Sequence, residues 1–293
     1  MYILKDFISN ALPHSEIKTN IYRNVNNKAT LEVKSSEGVP YGTFAIMIMA
    51  GIITSVVNQA NNKNKKVEFV NKNTIRIHLA KTMNRFIKNC GYTPSGGKNG
   101  NIAKFKNIWK LFLASSFNFK NHNGQEINFR ITQLNEEFDG YIEIDKSSYD
   151  YILNNNVYVD DEVIKKLQYG KHGCMLLNAY FWVSLRKWSL HKKTSMKYED
   201  LQNQIGTGIK DPAVFKARIR QAFMIIASIL KDDGYYINLG ENALNLIDFS
   251  INEAKSKIKN FQKFLKNVSI SGKHKISITF QKDFMELNPR IFV

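Results

Sequence analysis

At 293 residues, 43% of them hydrophobic and 12% aromatic, the chain exceeds the usual span of one hydrophobic core; two compact domains are expected and a largely disordered chain is excluded. Its formal charge of +17, from 42 Lys and Arg against 25 Asp and Glu, attracts polyanions over about a Debye length and makes nucleic acid the first partner to weigh. The richness in Lys, Asn and Ile is also what AT-rich codons produce, so charge alone does not decide the partner.

Cys90 and Cys174 are the only cysteines. They stand far apart without a second ligand at metal spacing, so buried thiols are expected rather than a disulfide framework or a zinc site. The opening MYILKDFISNALPHSEIK breaks its apolar residues with Asp and Glu, and no signal peptide is expected. The most apolar stretch, Ala45 to Val57, falls short of the about 20 residues a bilayer span needs and suits a buried helix. A soluble, cytoplasmic protein without membrane contact follows.

In chain order, the first 35 or so residues show no convincing periodicity and are set apart as an N-terminal arm. From Tyr41 to about Asn61 a strongly apolar pattern predicts one buried helix, stopped by NNKNKK. VEFV and TIRIHL predict a strand pair around Asn71, Lys72 and Asn73, and LAKTMNRFIKNCG a helix closed at Gly91. YTPSGGKNG then forms a tight loop before NIAKFKNIWKLFLASSF, whose Ile102, Phe105, Ile108, Trp109 and Phe112 keep helical spacing. SFNFKN, GQEINFRIT and GYIEID alternate apolar and polar residues and are expected in one small antiparallel sheet. Helix, basic helix and hairpin is the order of a winged helix, closing near residue 150.

A second cycle repeats it. CMLLNAYFWVSLRKWSL is a mostly apolar helix ended by HKKTS, and MKYEDLQNQIG a short strand passing into a helix that stops at Gly206. DPAVFKARIRQAFMIIASIL starts on Asp211 as N-cap and Pro212 in the first turn. Its core face is Phe215, Ile219, Phe223, Ile226 and Leu230, with Ala222 and Ile229 beside it; Lys216, Arg220 and Gln221 point outward and Arg218 lies near the apolar edge. YYINLGENALNLIDF predicts a second wing. After Ser250, INEAKSKIKNFQKFLKN has one apolar helical face and KISITF is strand-like.

The expected fold is therefore α+β: two tandem winged-helix domains with small antiparallel β-hairpin wings and a C-terminal extension. The divisions fall at 1–37 for the arm, 38–153 for the first domain, 154–250 for the second, DNA-binding domain, and 251–293 for the basic extension. A winged helix places the helix before its wing in the major groove, where Lys and Arg meet phosphates and Arg or Gln meets base edges. That selects Lys210, Lys216, Arg218, Arg220 and Gln221 in the second domain, with Lys192 and Lys193 ahead of it. In the first, Lys98, Lys104, Lys106 and Lys110 follow a glycine loop whose amides could form an anion-binding concavity at a helix N-terminus.

The alternatives weaken on inspection. GGK is no Walker A loop, which would need Gly at Tyr92 and Ser or Thr at Asn99. None of the six histidines stands at metal-pair spacing, and the His-hydrophobic-His motif of rolling-circle nicking enzymes is missing. Without a metal site, Tyr149, Tyr151, Tyr235 and Tyr236 are expected as sheet and core residues rather than nucleophiles. No catalytic residue, metal or cofactor is expected, and the protein is expected not to be an enzyme.

GVPYGTFAIMIMAGIITSVV, SGGKNGNIAKFKNIWKLF, and LNAYFWVSLRKWSL followed by MKYEDLQNQIGTGIKDPAVFKARIRQAF closely resemble the plasmid-encoded RepA family of replication initiators, over about Gly38 to Phe249. The resemblance implies binding to repeated double-stranded sequences at a plasmid origin, opening of adjacent AT-rich DNA and recruitment of the host helicase and polymerase machinery. It implies also a homodimer that switches to monomers, with a self-association surface on the first domain. A winged-helix transcriptional regulator and a DNA-nicking enzyme are the competing readings.

Overall fold

The computed structural model describes residues 1–26, 29–62, 67–121, 124–133, 137–168, 172–187, 194–206, 208–230, 235–239, 243–248, 269–270 and 276–277. The opening segment forms β1 (Tyr2–Leu4), α1 (Lys5–Ser9), β2 (Ile21–Asn26) and β3 (Ala29–Ser35). It is not a free arm, because Leu4, Ile8, Leu12, Leu31 and Val33 are buried in the core. Its elements are too short to show a period of their own, and each is held by residues remote in sequence. The Ala11 amide donates to the Gln204 carbonyl at 3.0 Å, and the Asn24 side chain donates to the same oxygen at 3.3 Å.

The next elements are α2 (Gly42–Asn61), β4 (Glu68–Asn71), β5 (Thr74–His78), α3 (Met83–Asn89), α4 (Asn101–Leu113), β6 (Ser115–Asn121), β7 (Glu126–Arg130), β8 (Tyr141–Asp145) and α5 (Lys146–Asn154). Helix α2 outruns its apolar centre and is long and apolar enough to cross a membrane. Its Ala45 to Ile53 are, however, buried inside the fold, the position of a central core helix. At Gly51 it approaches α3 so closely that a Cβ would lie 2.8 Å from the Cys90 sulfur.

Strands β2, β3, β6 and β7 form one antiparallel sheet in the order β2-β3-β6-β7. Val33, Phe117 and Phe129 lie in register across it on the buried face, while Glu32, Asn118 and Lys120 belong to the other. Phe7 of α1 closes on Phe119, ring centroids 4.8 Å apart. The three segments expected in one sheet are divided. β8 pairs instead with β5, setting Ile144 opposite Ile75 and Ile142 opposite Ile77, all four buried, and it bridges to the chain just past β7 at Thr132 and Glu143. Burial of those isoleucines outweighs the nearness of β7 in sequence.

There follow β9 (Asn156–Tyr158), α6 (Asp161–Leu167), α7 (Gly173–Lys187), β10 (Thr194–Lys197), α8 (Tyr198–Ile205), α9 (Pro212–Leu230), β11 (Tyr235–Leu239) and β12 (Ala243–Asp248). β9 pairs with β1, and the last three strands form a sheet in the order β10-β12-β11. Helix α7 is apolar on nearly every side and packs against α1, α2, α6 and α9, with Trp182 fully buried beside Phe223. The buried apolar residues from Met1 to Ile226 make one contiguous cluster. Of the C-terminal extension, β13 (Ser269–Ile270) and β14 (Ile276–Ser277) are described, paired antiparallel. The helical face expected over 251–265 lies outside the described residues.

Candidate nucleic-acid interface

The first basic surface is built on α3, the following loop and α4. Thr82 caps α3, its hydroxyl accepting from the Arg85 amide at 3.2 Å. Phe86 and Ile87 are buried, which leaves Arg85 and Lys88 exposed on the opposite side. Gly91 ends the helix at φ +85°, a conformation that suits glycine.

The loop then folds back onto the first turn of α4. The Ser95 hydroxyl accepts from the Asn101 amide at 2.9 Å, the Ser95 carbonyl accepts from the Ile102 amide at 3.2 Å, and the Asn101 side chain donates to the Thr93 carbonyl at 2.8 Å. A Cβ at Gly100 would stand 2.2 Å from the Gly96 oxygen, so only glycine fits. The expected anion-binding concavity is therefore corrected: the loop's own oxygens occupy two of the amides that would have formed it. The cations remain available. Lys98, Lys104, Lys106 and Lys110 are all exposed, while Phe105, Ile108, Trp109 and Phe112 face the core.

The second basic surface is built on α8 and α9. Gly206 terminates α8, and the Gln202 side chain donates to the Ile209 carbonyl at 2.8 Å, holding the turn. A Cβ at Gly206 would meet the Gln202 oxygen at 2.7 Å and the Phe215 ring at 2.8 Å, so the two helices approach through a glycine. The Asp211 carboxylate caps α9, accepting from the Ala213 amide at 2.8 Å and the Val214 amide at 3.3 Å.

Phe215, Ile219, Ala222, Phe223 and Ile226 are buried, Ile229 partly, and the Leu230 side chain lies outside the described residues. Lys210 and Arg218 are exposed, whereas Lys216, Arg220 and Gln221 are half-buried. The expected placing of Arg218 against the apolar edge is thus reversed. Lys216 is the more confined, its ammonium 5.4 Å from the Tyr198 ring centre. Burial pushes the Tyr198 hydroxyl up from its ordinary range, and the nearby Arg220 charge partly opposes that. Lys192 and Lys193 lie outside the described residues.

Arg85 and Lys88 were not singled out from the sequence, although the helical spacing of Phe86 and Ile87 against them carried the signal. Among the described residues, no group of three or more His, Cys, Asp or Glu could hold a metal ion. Burial raises both thiols, that of Cys174 to about 12, and Tyr149 and Tyr151 are core residues. The side chains of Tyr235 and Tyr236 lie outside the described residues.

The plasmid encoded RepA protein family model matches residues 39–199, more than half of the chain. The match ends in the first turn of α8, before α9. No curated protein sequence matches. Among solved structures, the chain is similar to the selenomethionine derivatives of domain 2 and domain 3 of RctB, at 10% identity and a TM-score of 0.47, covering 81% of this chain and 93% of that one. A second crystal structure of RctB domains 2-3 shows 12% identity and a TM-score of 0.44 at the same coverages.

Proposed function

The chain belongs to the plasmid-encoded RepA protein family, and on that premise we propose that it is a plasmid replication initiator that binds repeated double-stranded sequences at an origin. It opens the adjacent DNA and brings in the host helicase and polymerase machinery, acting in the bacterial cytoplasm without a catalytic centre of its own. The observation that carries the DNA-binding part is α9: capped at Asp211, buried along one face, and bearing Arg218 in the open, with exposed Lys210 just before the cap.

We read β10, α8, α9, β11 and β12, whose strands form the sheet β10-β12-β11, as a winged helix with α9 as its groove-entering helix and β11–β12 as its wing. The run β5, α3, α4 and β6–β7 repeats that element order with different pairing, its hairpin joining β3 and its leading strand β5 lying between β4 and β8. In this reading α9 discriminates sequence, while Lys98, Lys104, Lys106 and Lys110 hold phosphates. The first domain also carries the surface through which two copies associate.

The test is titration of the purified chain against duplexes from its own replicon and against unrelated duplexes, at several salt concentrations. Arg220→Ala is expected to weaken specific binding by about 1 to 3 kcal/mol, and Lys98→Ala to lower the salt slope by about one unit on all duplexes. An unchanged slope would remove Lys98 from the interface. Equal affinity for related and unrelated duplexes would refute sequence-specific binding.

A further inference from the structure

Large apolar side chains are exposed at six described positions: Ile21, Val25, Phe69, Val70, Tyr158 and Val214. The first five lie on strands; Val214 alone sits on a helix, 38% exposed. It stands in the first turn of α9, between exposed Lys210 and exposed Arg218. Asp211, the carboxylate nearest it in sequence, accepts from the amides of Ala213 and Val214. The surroundings of this apolar group therefore complement a polyanion, where an apolar protein partner would leave two cations buried without countercharge.

Duplex DNA offers one apolar group in its major groove, the thymine C5 methyl, which aliphatic side chains contact. Recognition helices present their N-terminal residues to base edges, and Val214 is such a residue. Spacing along α9 adds a second element. Val214, Ala217, Arg218 and Gln221 follow the i, i+3, i+4, i+7 rule of one helical face, with Gln221 about 10 Å further along, roughly three base-pair steps. Glutamine is the side chain that pairs with adenine through two hydrogen bonds.

We propose that Val214 reads a thymine methyl group in the major groove, so that the chain discriminates A·T pairs opposite the start of α9 through a hydrophobic contact that no hydrogen bond replaces. This rests on the reading of α9 as the groove-entering helix.

The experiment uses duplexes that the full chain selects from a random-sequence library. Each A·T position of the selected sequence is remade with uracil in place of thymine, which removes the methyl and keeps the pairing. The native chain, Val214→Ala and Arg218→Ala are titrated against each duplex at one salt concentration. Uracil at one or two positions is expected to weaken the native chain about fourfold per methyl lost and to leave Val214→Ala unaffected, while Arg218→Ala weakens on thymine and uracil duplexes alike.

Val214→Ala keeps a good helix former at an exposed site, and its melting temperature should match that of the native chain. Thymine and uracil duplexes binding equally well at every position overturns the assignment, as does a uracil effect that persists in Val214→Ala; specific binding itself would stand in both cases. A library that yields no enriched sequence overturns the reading of α9 and the proposal with it.

Discussion

Asp6 and Tyr151 show how a polar pair is kept in the core. The Tyr151 hydroxyl donates to the Asp6 carboxylate at 2.6 Å, both residues being under a tenth exposed. Burial raises the Asp6 carboxyl above its usual value of 3.8 despite that bond. A raised folded value means that the folded chain takes up this proton before the unfolded one. The charged form therefore lowers stability above the folded pKa, and the penalty is relieved as pH falls through it. Tyr151→Phe strands the buried carboxylate, with an expected loss of about 2 to 3 kcal/mol at neutral pH that shrinks near pH 4. Urea denaturation at the two pH values checks this, and equal losses would contradict it.

His14 behaves in the opposite sense. Its ring meets the Asn178 side chain at 3.1 Å, and burial lowers its pKa from 6.5 to about 4. The unfolded chain then binds the proton first, so the stability His14 contributes is complete above 6.5 and is lost as pH falls towards 4. On the order of 2 kcal/mol should disappear over that interval. His14→Gln should flatten the pH dependence of the melting temperature there, and an unchanged profile would assign the acid sensitivity elsewhere.

At the scale of elements, legibility followed the strength of local signals. α9 was readable because Asp211, Pro212 and an uninterrupted apolar period all mark the same helix, and the buried residues match that period. The placing of its cations was not fully readable. A helical wheel does not contain α8, whose Tyr198 confines Lys216, while Arg218 stands in the open. The glycine loop before α4 looked like an anion cup, yet its fold depends on Ser95 reaching across six residues to Asn101, which spacing does not reveal.

β8 left its sequence neighbours for β5 because Ile142 and Ile144 are buried against Ile75 and Ile77. The entry to β8 also depends on one glycine: Gly140 has φ +81°, and a Cβ there would stand 2.5 Å from the Ala80 carbonyl oxygen. The Gly140 carbonyl accepts from the Leu79 amide at 2.8 Å, so the turn cannot retreat without losing that bond. Gly140→Ala should cost about 2 kcal/mol or more by chemical denaturation. A loss below about 0.5 kcal/mol would show that the turn relaxes freely.

For the whole molecule, two repeats of strand, helix, helix and hairpin were visible from pattern alone, whereas the role of the opening segment was not. Its short elements pair with β9 and β6, pack Phe7 on Phe119, and bond to the end of α8. Contacts of that sequence separation leave no periodic trace. The consequence is that residues before the family match at 39–199 belong to the same core as both basic surfaces. Both basic surfaces therefore rest on one buried cluster, with α7 packed against both α2 and α9.

Footprinting of the full chain on its own replicon, at near-physiological salt with excess competitor DNA, tests the central claim most directly. Regularly spaced protection over short direct repeats, about one or two helical turns apart, is the result expected of an initiator whose α9 reads each repeat. Protection of a single promoter palindrome alone, or none that survives competitor, would contradict it.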